Sequence, residues 1–239
     1  MLRSLVPLIA LCLVCLTASP AACATAVAED LDPLEAVNRI SFDFSMFVDR
    51  NALRPVAEAY VAVVPDPVRN GLRDCIDNLE SPIVFANDLL QGDGDAAGNA
   101  MARFLINTTL GVGGLMDPAA AWGLTQDDED FGITLGRWGV AAGPYLFIPL
   151  FGPSSPRDAF GYVTDLAFDP LTYWKGSMWV PIGEKALDIV DSRARNLESI
   201  DAIERTSVDD YAAVRSAYRQ SRAAKVNKGA SDVPDFSSD

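Results

Sequence analysis

Three groups of residues in this 239-residue chain have types that could do chemistry. Asp127, Asp128, Glu129 and Asp130 are consecutive acids, able in principle to hold a cation or trade protons. Gly111-x-Gly113-Gly114 has the glycine density of a phosphate-cradling loop, and Cys75 is a thiol well inside the chain. None of them grows into a catalytic set. The sequence contains no histidine, which removes a Ser–His–Asp triad, a Cys–His pair, histidine zinc ligation and a histidine general base. Calcium loops want oxygen ligands at alternating positions with a glycine turn, and four adjacent acids do not match, so the run reads as a solvated face. The glycines follow a helix rather than link a strand to one. Cys75 reads as a small buried residue on a helix face. The chain is read as a non-enzyme that needs no metal and no cofactor.

The elements that would position any site are helical by period. Asp32 is placed to cap a helix with Pro33 at its first position, followed by Leu34, Val37, Ile40 and Phe44 along one face to about Asp49. Arg54-Pro55 opens a short second helix ending near Pro65. Val68, Leu72, Cys75 and Leu79 mark a third, and Ser81-Pro82 is predicted to break it and restart a fourth that stops at Gly92. Ala96 to Leu110 follows, with Ala97, Met101, Phe104 and Thr108 on one face and Arg103 on the other. Leu115 to Tyr173 loses regular period. Helix returns from Gly183, and Ser207 to Asp210 resembles a capping box before a last helix carrying Tyr211, Val214 and Tyr218.

Within the irregular middle, Trp138 to Pro156 runs nineteen residues without a charge. Pro144, Pro149 and Pro153 rule out a regular membrane-spanning helix there, since each costs about 3 kcal/mol in a helix interior. Short strands or a hairpin fit the segment better. An apolar irregular run must be buried, lie at a membrane interface or line a cavity. Residues 1–24 read as an export signal with Arg3 and a Leu5–Leu16 apolar core, cleaved somewhere between residues 22 and 28; Cys23 is the candidate lipid anchor. Residues 30–222 form one helical domain, and 223–239 a polar tail expected to be disordered. Net charge is −14 with 49% hydrophobic residues, which disfavours nucleic acid and electrostatic attachment to anionic lipid.

A set of short words recurs in order along the chain: Asp32-Pro33-Leu34-Glu35 with Asn38-Arg39, Arg54-Pro55, Arg69-Asn70-Gly71, Asn78-Leu79 with Pro82, and Leu90-Gln91-Gly92. Arg103-Phe104 with Asn107-Thr108, Gly111-x-Gly113-Gly114 with Asp117, Phe131-Gly132-x-Thr134-Leu135-Gly136, Gly143-Pro144-Tyr145, Arg157-Asp158 and Val214-Arg215-x-Ala217-Tyr218 complete it. In these the chain resembles the MlaA/VacJ family of outer-membrane phospholipid-transport lipoproteins of Gram-negative bacteria. Pro20 departs from the family's lipidation signal.

The resemblance implies a mainly α, ring-shaped single domain embedded in the periplasmic leaflet of the outer membrane beside a trimeric porin. Mislocalised phospholipids would leave the outer leaflet through an amphipathic channel and pass to a soluble periplasmic lipid carrier, keeping the outer membrane asymmetric. The alternative is a periplasmic scaffold that docks an envelope complex. Candidate channel or lipid contacts are Asn87, Asn107, Tyr145, Leu146, Phe147, Ile148 and Leu150. The two asparagines equally suit bonds to a neighbouring helix or loop. Trp138, Tyr145, Trp174 and Trp179 suit either an interfacial belt or core packing.

Overall fold

The computed structural model describes residues 32–177 and 179–228. The signal segment and Cys23 lie outside the described residues, as does the tail beyond Lys228. Contacts divide the chain into Met1–Pro33 and Leu34–Asp239, and every element below belongs to the second unit.

Helix α1 spans Glu35–Val48 and runs through a π-helical turn, Asp49–Leu53, into α2, Arg54–Val63. The N-cap position of α1 is Leu34 rather than Asp32, and the Leu34 carbonyl accepts from Val37 and Asn38. Next come α3, Asp66–Gln91, and α4, Gly94–Thr109, which pack along each other as a hairpin turned by Gly92 in the left-handed conformation. Ser81-Pro82 does not break α3, contrary to expectation. Packing against α4 outweighs the lost Pro82 N–H, and Ser81 Oγ donates to the Asp77 carbonyl at 3.1 Å, occupying a group beside the gap.

The irregular middle contains α5, Pro118–Ala121, α6, Phe131–Arg137, and a short antiparallel hairpin, β1 Leu146–Ile148 with β2 Gly152–Ser154, Phe147 facing Pro153. The hairpin foreseen in the uncharged segment is therefore present. Its turn places Leu150 at φ 68°, a conformation an L residue rarely adopts, and Ser45 Oγ accepts from the Leu150 N–H at 3.0 Å to hold it there. Helix α7, Pro156–Asp165, crosses α6 so closely that a Cβ at Gly161 would strike the Gly132 backbone. A 3-10 turn at Pro170–Tyr173 leads to α8, Trp179–Arg195, then α9, Leu197–Thr206, and α10, Asp210–Asn227. The last helix is capped by Asp209, whose carboxylate accepts from Ala212, rather than by Ser207. It also continues past residue 222, so residues 223–227 are helix and not disordered tail.

The apolar core is small. Phe42 of α1, Tyr145 and Phe147 of the hairpin, and Tyr211 of α10 stack edge to face with centroids 5.3–5.9 Å apart. Four ion pairs then tie the N-terminal helices to the C-terminal ones. Arg39 grips Asp209 at 2.6 and 3.1 Å, Asp49 takes Arg193 at 2.6 and 2.9 Å, Arg50 meets Glu204, and Arg54 meets Asp201. Asn38, 2% exposed, is the keystone of the cluster: its Nδ2 donates to the Tyr145 carbonyl and its Oδ1 accepts from the Phe147 N–H, both at 2.9 Å. Asn38→Ala strands both backbone groups in a dry site and should lower stability by about 2–4 kcal/mol, measurable as a fall in the urea midpoint in detergent micelles.

Candidate functional site

Polarity in this chain is arranged opposite to that of a water-soluble helical protein. Among the described residues, buried polar and charged side chains outnumber buried apolar ones. The large apolar side chains face outward. On α1 the stripe Val37, Ile40, Phe44 and Phe47 is 51–71% exposed, while Asn38 is buried. On α3 the pair Leu89 and Leu90 is exposed while Asn87 and Asp88 are buried. Helix α4 repeats the pattern, with Ala97, Ala100, Arg103 and Asn107 inside and Leu105 outside. Arg103, read as lying on the face opposite Ala97, is buried as Ala97 is. The sequence period located the stripes correctly but not their direction, because period alone does not say which side of a helix meets water.

Two hydrogen-bonded seams fill the interior. In the first, Arg103 donates to Asp117 at 2.7 Å, to the Leu124 carbonyl at 2.5 Å and to Gln126 at 3.0 Å. Asn107 donates to the other Asp117 oxygen at 2.9 Å and accepts from the Ala119 N–H at 3.1 Å, and Asn78 donates to Thr108 at 2.9 Å. Asp74, Asp77 and Ser81 of α3 line the same cleft. Burial drives the Asp117 carboxyl upward, but the bonds from Arg103, the Ala120 N–H and Asn107 prevail and hold it below the usual carboxylate range. Asp77 is pushed up to about 6 by burial and by Glu80.

The second seam joins α3, α6 and α7. Asn87, fully buried, donates to Asp165 at 2.8 Å and to the Ile83 carbonyl at 3.0 Å, and accepts from Thr134 at 2.9 Å. Gln91 donates to Thr134 at 2.8 Å and Glu129 at 3.1 Å, and Arg137 pairs with Glu129 at 2.7 Å. Asp165 also accepts from the Phe131 N–H at 2.9 Å, and burial lifts it to about 6. Asp88, 1% exposed, has one carboxylate oxygen with no partner; burial, with Glu129 and Asp127 nearby, lifts it to about 7.

The acidic run is a solvated face only in part: Asp128 is 81% exposed, while its neighbours are partly or wholly covered. Glu129 is buried against Arg137 and Gln91, Asp130 caps α6 at the Ile133 N–H and grips Arg222, and Asp127 and Asp128 take Lys228 and Lys225. Cys75 is half-buried, with its thiol 3.8 Å from the Gly113 carbonyl.

The remaining named residues fall into two groups. Asn87 and Asn107 make the interhelical and helix–loop bonds just described. Tyr145 and Phe147 belong to the aromatic cluster, so Tyr145 is core rather than belt. Leu146 and Ile148 are half-buried, whereas Leu150 at the hairpin tip is 59% exposed beside Phe151 at 74%. Trp138, Trp174 and Trp179 are exposed, joined by Trp122, which the sequence reading did not single out. It also passed over Thr134 and Asp165 as site residues; the signal for them was a polar residue on each helix face turned toward a neighbour of the same kind.

Hydrogen-bonded polar seams inside and many large apolar side chains at the surface characterise this mainly helical protein. The family described as MlaA lipoprotein matches residues 30–225, and the chain belongs to it. The intermembrane phospholipid transport system lipoprotein MlaA of Haemophilus influenzae is 37% identical over 207 residues, covering 85% of this chain and 82% of that one. The protein of the same name from Escherichia coli K12 is 39% identical over 203 residues, 83% of this chain and 79% of that one. A solved structure described under "Structural basis for maintenance of bacterial outer membrane lipid asymmetry" superposes with a TM-score of 0.75 at 37% identity, covering 82% of this chain and all of that one.

Two outcomes follow from the seams. Arg103→Met removes three bonds and leaves Asp117 without its cation, which should destabilise by about 3–5 kcal/mol in a denaturant titration. Asp88, Asp165 and Asp77 bind protons more readily folded than unfolded, so native stability should rise as pH falls from about 8 through their range. It falls again below the ordinary carboxylate value of about 4, where the unfolded chain takes protons that Asp209, at about 2, with Asp117 and Asp158, resists in the fold. Asp88→Asn should raise the thermal midpoint at pH 8 and flatten the rise toward pH 6, read by calorimetry in micelles.

Proposed function

We propose that this chain moves phospholipid between membranes of a Gram-negative envelope without covalent chemistry. The carrying observation is the reversed polarity: exposed Val, Ile, Leu and Phe on α1, α4, the hairpin and α7, with exposed Trp122, Trp138, Trp174 and Trp179, around buried seams of Asn, Asp, Arg and Thr. Named relatives at 37–39% identity belong to an intermembrane phospholipid transport system, and the superposed structure concerns outer-membrane lipid asymmetry.

In this reading the outward apolar side chains rest in the acyl region of the periplasmic leaflet of the outer membrane. Among the described residues no helix is long and apolar enough to cross a membrane. The domain closes as a ring, headgroups pass along a polar-lined channel while acyl chains stay in the bilayer, and a soluble periplasmic carrier receives the lipid. A trimeric porin holds the protein in place, and Cys23 carries the acyl anchor. Leu146, Ile148, Leu150 and Phe151 form an apolar edge on the hairpin that meets acyl chains. No step requires a nucleophile or a general base, in keeping with a transporter rather than a phospholipase.

Leu150→Asp with Phe151→Asp places two charges on an exposed edge, so folding should survive while membrane residence does not. Deleting the protein should raise outer-leaflet phospholipid and detergent sensitivity, and the double variant should fail to restore either. Normal outer-leaflet lipid in the deletion strain would refute the transport reading, and release of wild-type protein without detergent would turn it into a soluble scaffold.

A further inference from the structure

We propose that the last turns of α10 are a strap held shut by ion pairs and loosened by salt, forming one wall of an open cavity of about 600 Å³ at the α3–α4 corner. The strap stands on contacts within the fold and does not depend on what the protein carries.

Helix α10 is eighteen residues long, yet its one buried residue is Tyr211, at the start. Val214 and Tyr218 add partial burial against the same aromatic cluster, and Tyr218 donates to Asp158. Beyond Tyr218 the attachment is ionic. Arg222 reaches Asp130 at 2.5 and 2.9 Å and Asp158 at 2.9 Å; Lys225 pairs with Asp128 and Lys228 with Asp127. Arg137 adds a bond to the Lys225 carbonyl at 3.3 Å, placing a cation where the helix dipole is negative. Val226 also fits closely over Gly136, where a Cβ would collide with it.

These fastenings weaken along the helix. The side chains of Arg222, Lys225 and Lys228 are 16%, 33% and 56% exposed. Exposed pairs contribute little each and fade as the Debye length shrinks from about 10 Å at 0.1 M salt toward 3 Å at 1 M, whereas buried pairs are screened far less. Arg222, with its two carboxylates, is therefore the hinge, and the segment after it is the part that lifts. Val226 lines the cavity together with Gln91, Gly92, Asp93, Gly94, Asp95 and Arg137. Lifting the segment removes that wall, bares Asp127, now 29% exposed, and frees the already exposed Asp128 from Lys225.

Hydrogen exchange on the full chain in micelles tests this, at 50 and 500 mM NaCl and with Lys225→Gln/Lys228→Gln at 50 mM. Backbone amides of residues 223–228 should lose at least tenfold of their protection at high salt and the same in the double variant. Amides of residues 211–218 and of α3 should keep theirs. Unchanged protection after either treatment overturns the strap, and so does loosening of α3 and α10 alike at high salt.

Discussion

Everything in this fold depends on satisfying polar groups that have been taken out of water. A helix that turns its polar stripe inward gains nothing from the hydrophobic effect on that face, and an unmatched amide or carboxylate there costs more than a good hydrogen bond returns. The structure meets this with side chains that saturate one another. Arg103 distributes its donors over Asp117, Gln126 and the Leu124 carbonyl, while Asn107 completes the same carboxylate. Asn87 satisfies α3, α6 and α7 at once. Such seams hold helices at a fixed register, since a shift of one residue would break every bond, and a purely apolar interface has no comparable penalty.

The apolar contribution is correspondingly local. Phe42, Tyr145, Phe147 and Tyr211 draw the first helix, the hairpin and the last helix onto one cluster, with Arg39 lying over the Tyr211 ring at 4.5 Å. Elsewhere the N- and C-terminal helices are tied by charge. The acidic run at 127–130 serves the same end, since each of its acids has a basic partner on α6 or α10 or in the turn that follows α10.

Much of this was legible in the sequence, and what was not has a common cause. The helices outside residues 115–173 and the hairpin between Pro144 and Pro156 follow from period and from proline placement, whereas α5, α6 and α7, short and inside the stretch read as irregular, do not. The family words proved to be structural joints: Asn38-Arg39 staples the hairpin and the cap of α10, and Asn107 meets Asp117. Direction was hidden. A stripe such as Val37, Ile40 and Phe44 looks the same whether it faces a core or an acyl layer, so the buried position of Arg103 could not be read from spacing. Pro82 and Asp127 to Asp130 misled for a related reason, because local rules for proline and charge runs are overridden when a partner element covers them. The seams required knowing which helices are neighbours, and α3 meeting α6 is a tertiary fact.

The bond between Arg39 and Asp209 spans 170 residues, and Asn38 reaches the hairpin more than a hundred residues downstream. A chain made from its N-terminus onward therefore has its first helix complete long before the residues that fix it exist. During that interval Val37, Ile40, Phe44 and Phe47 stand exposed on a helix whose buried face has no partner. Closing so long a loop is slow, and a waiting amphipathic helix is prone to adhere to the wrong surface.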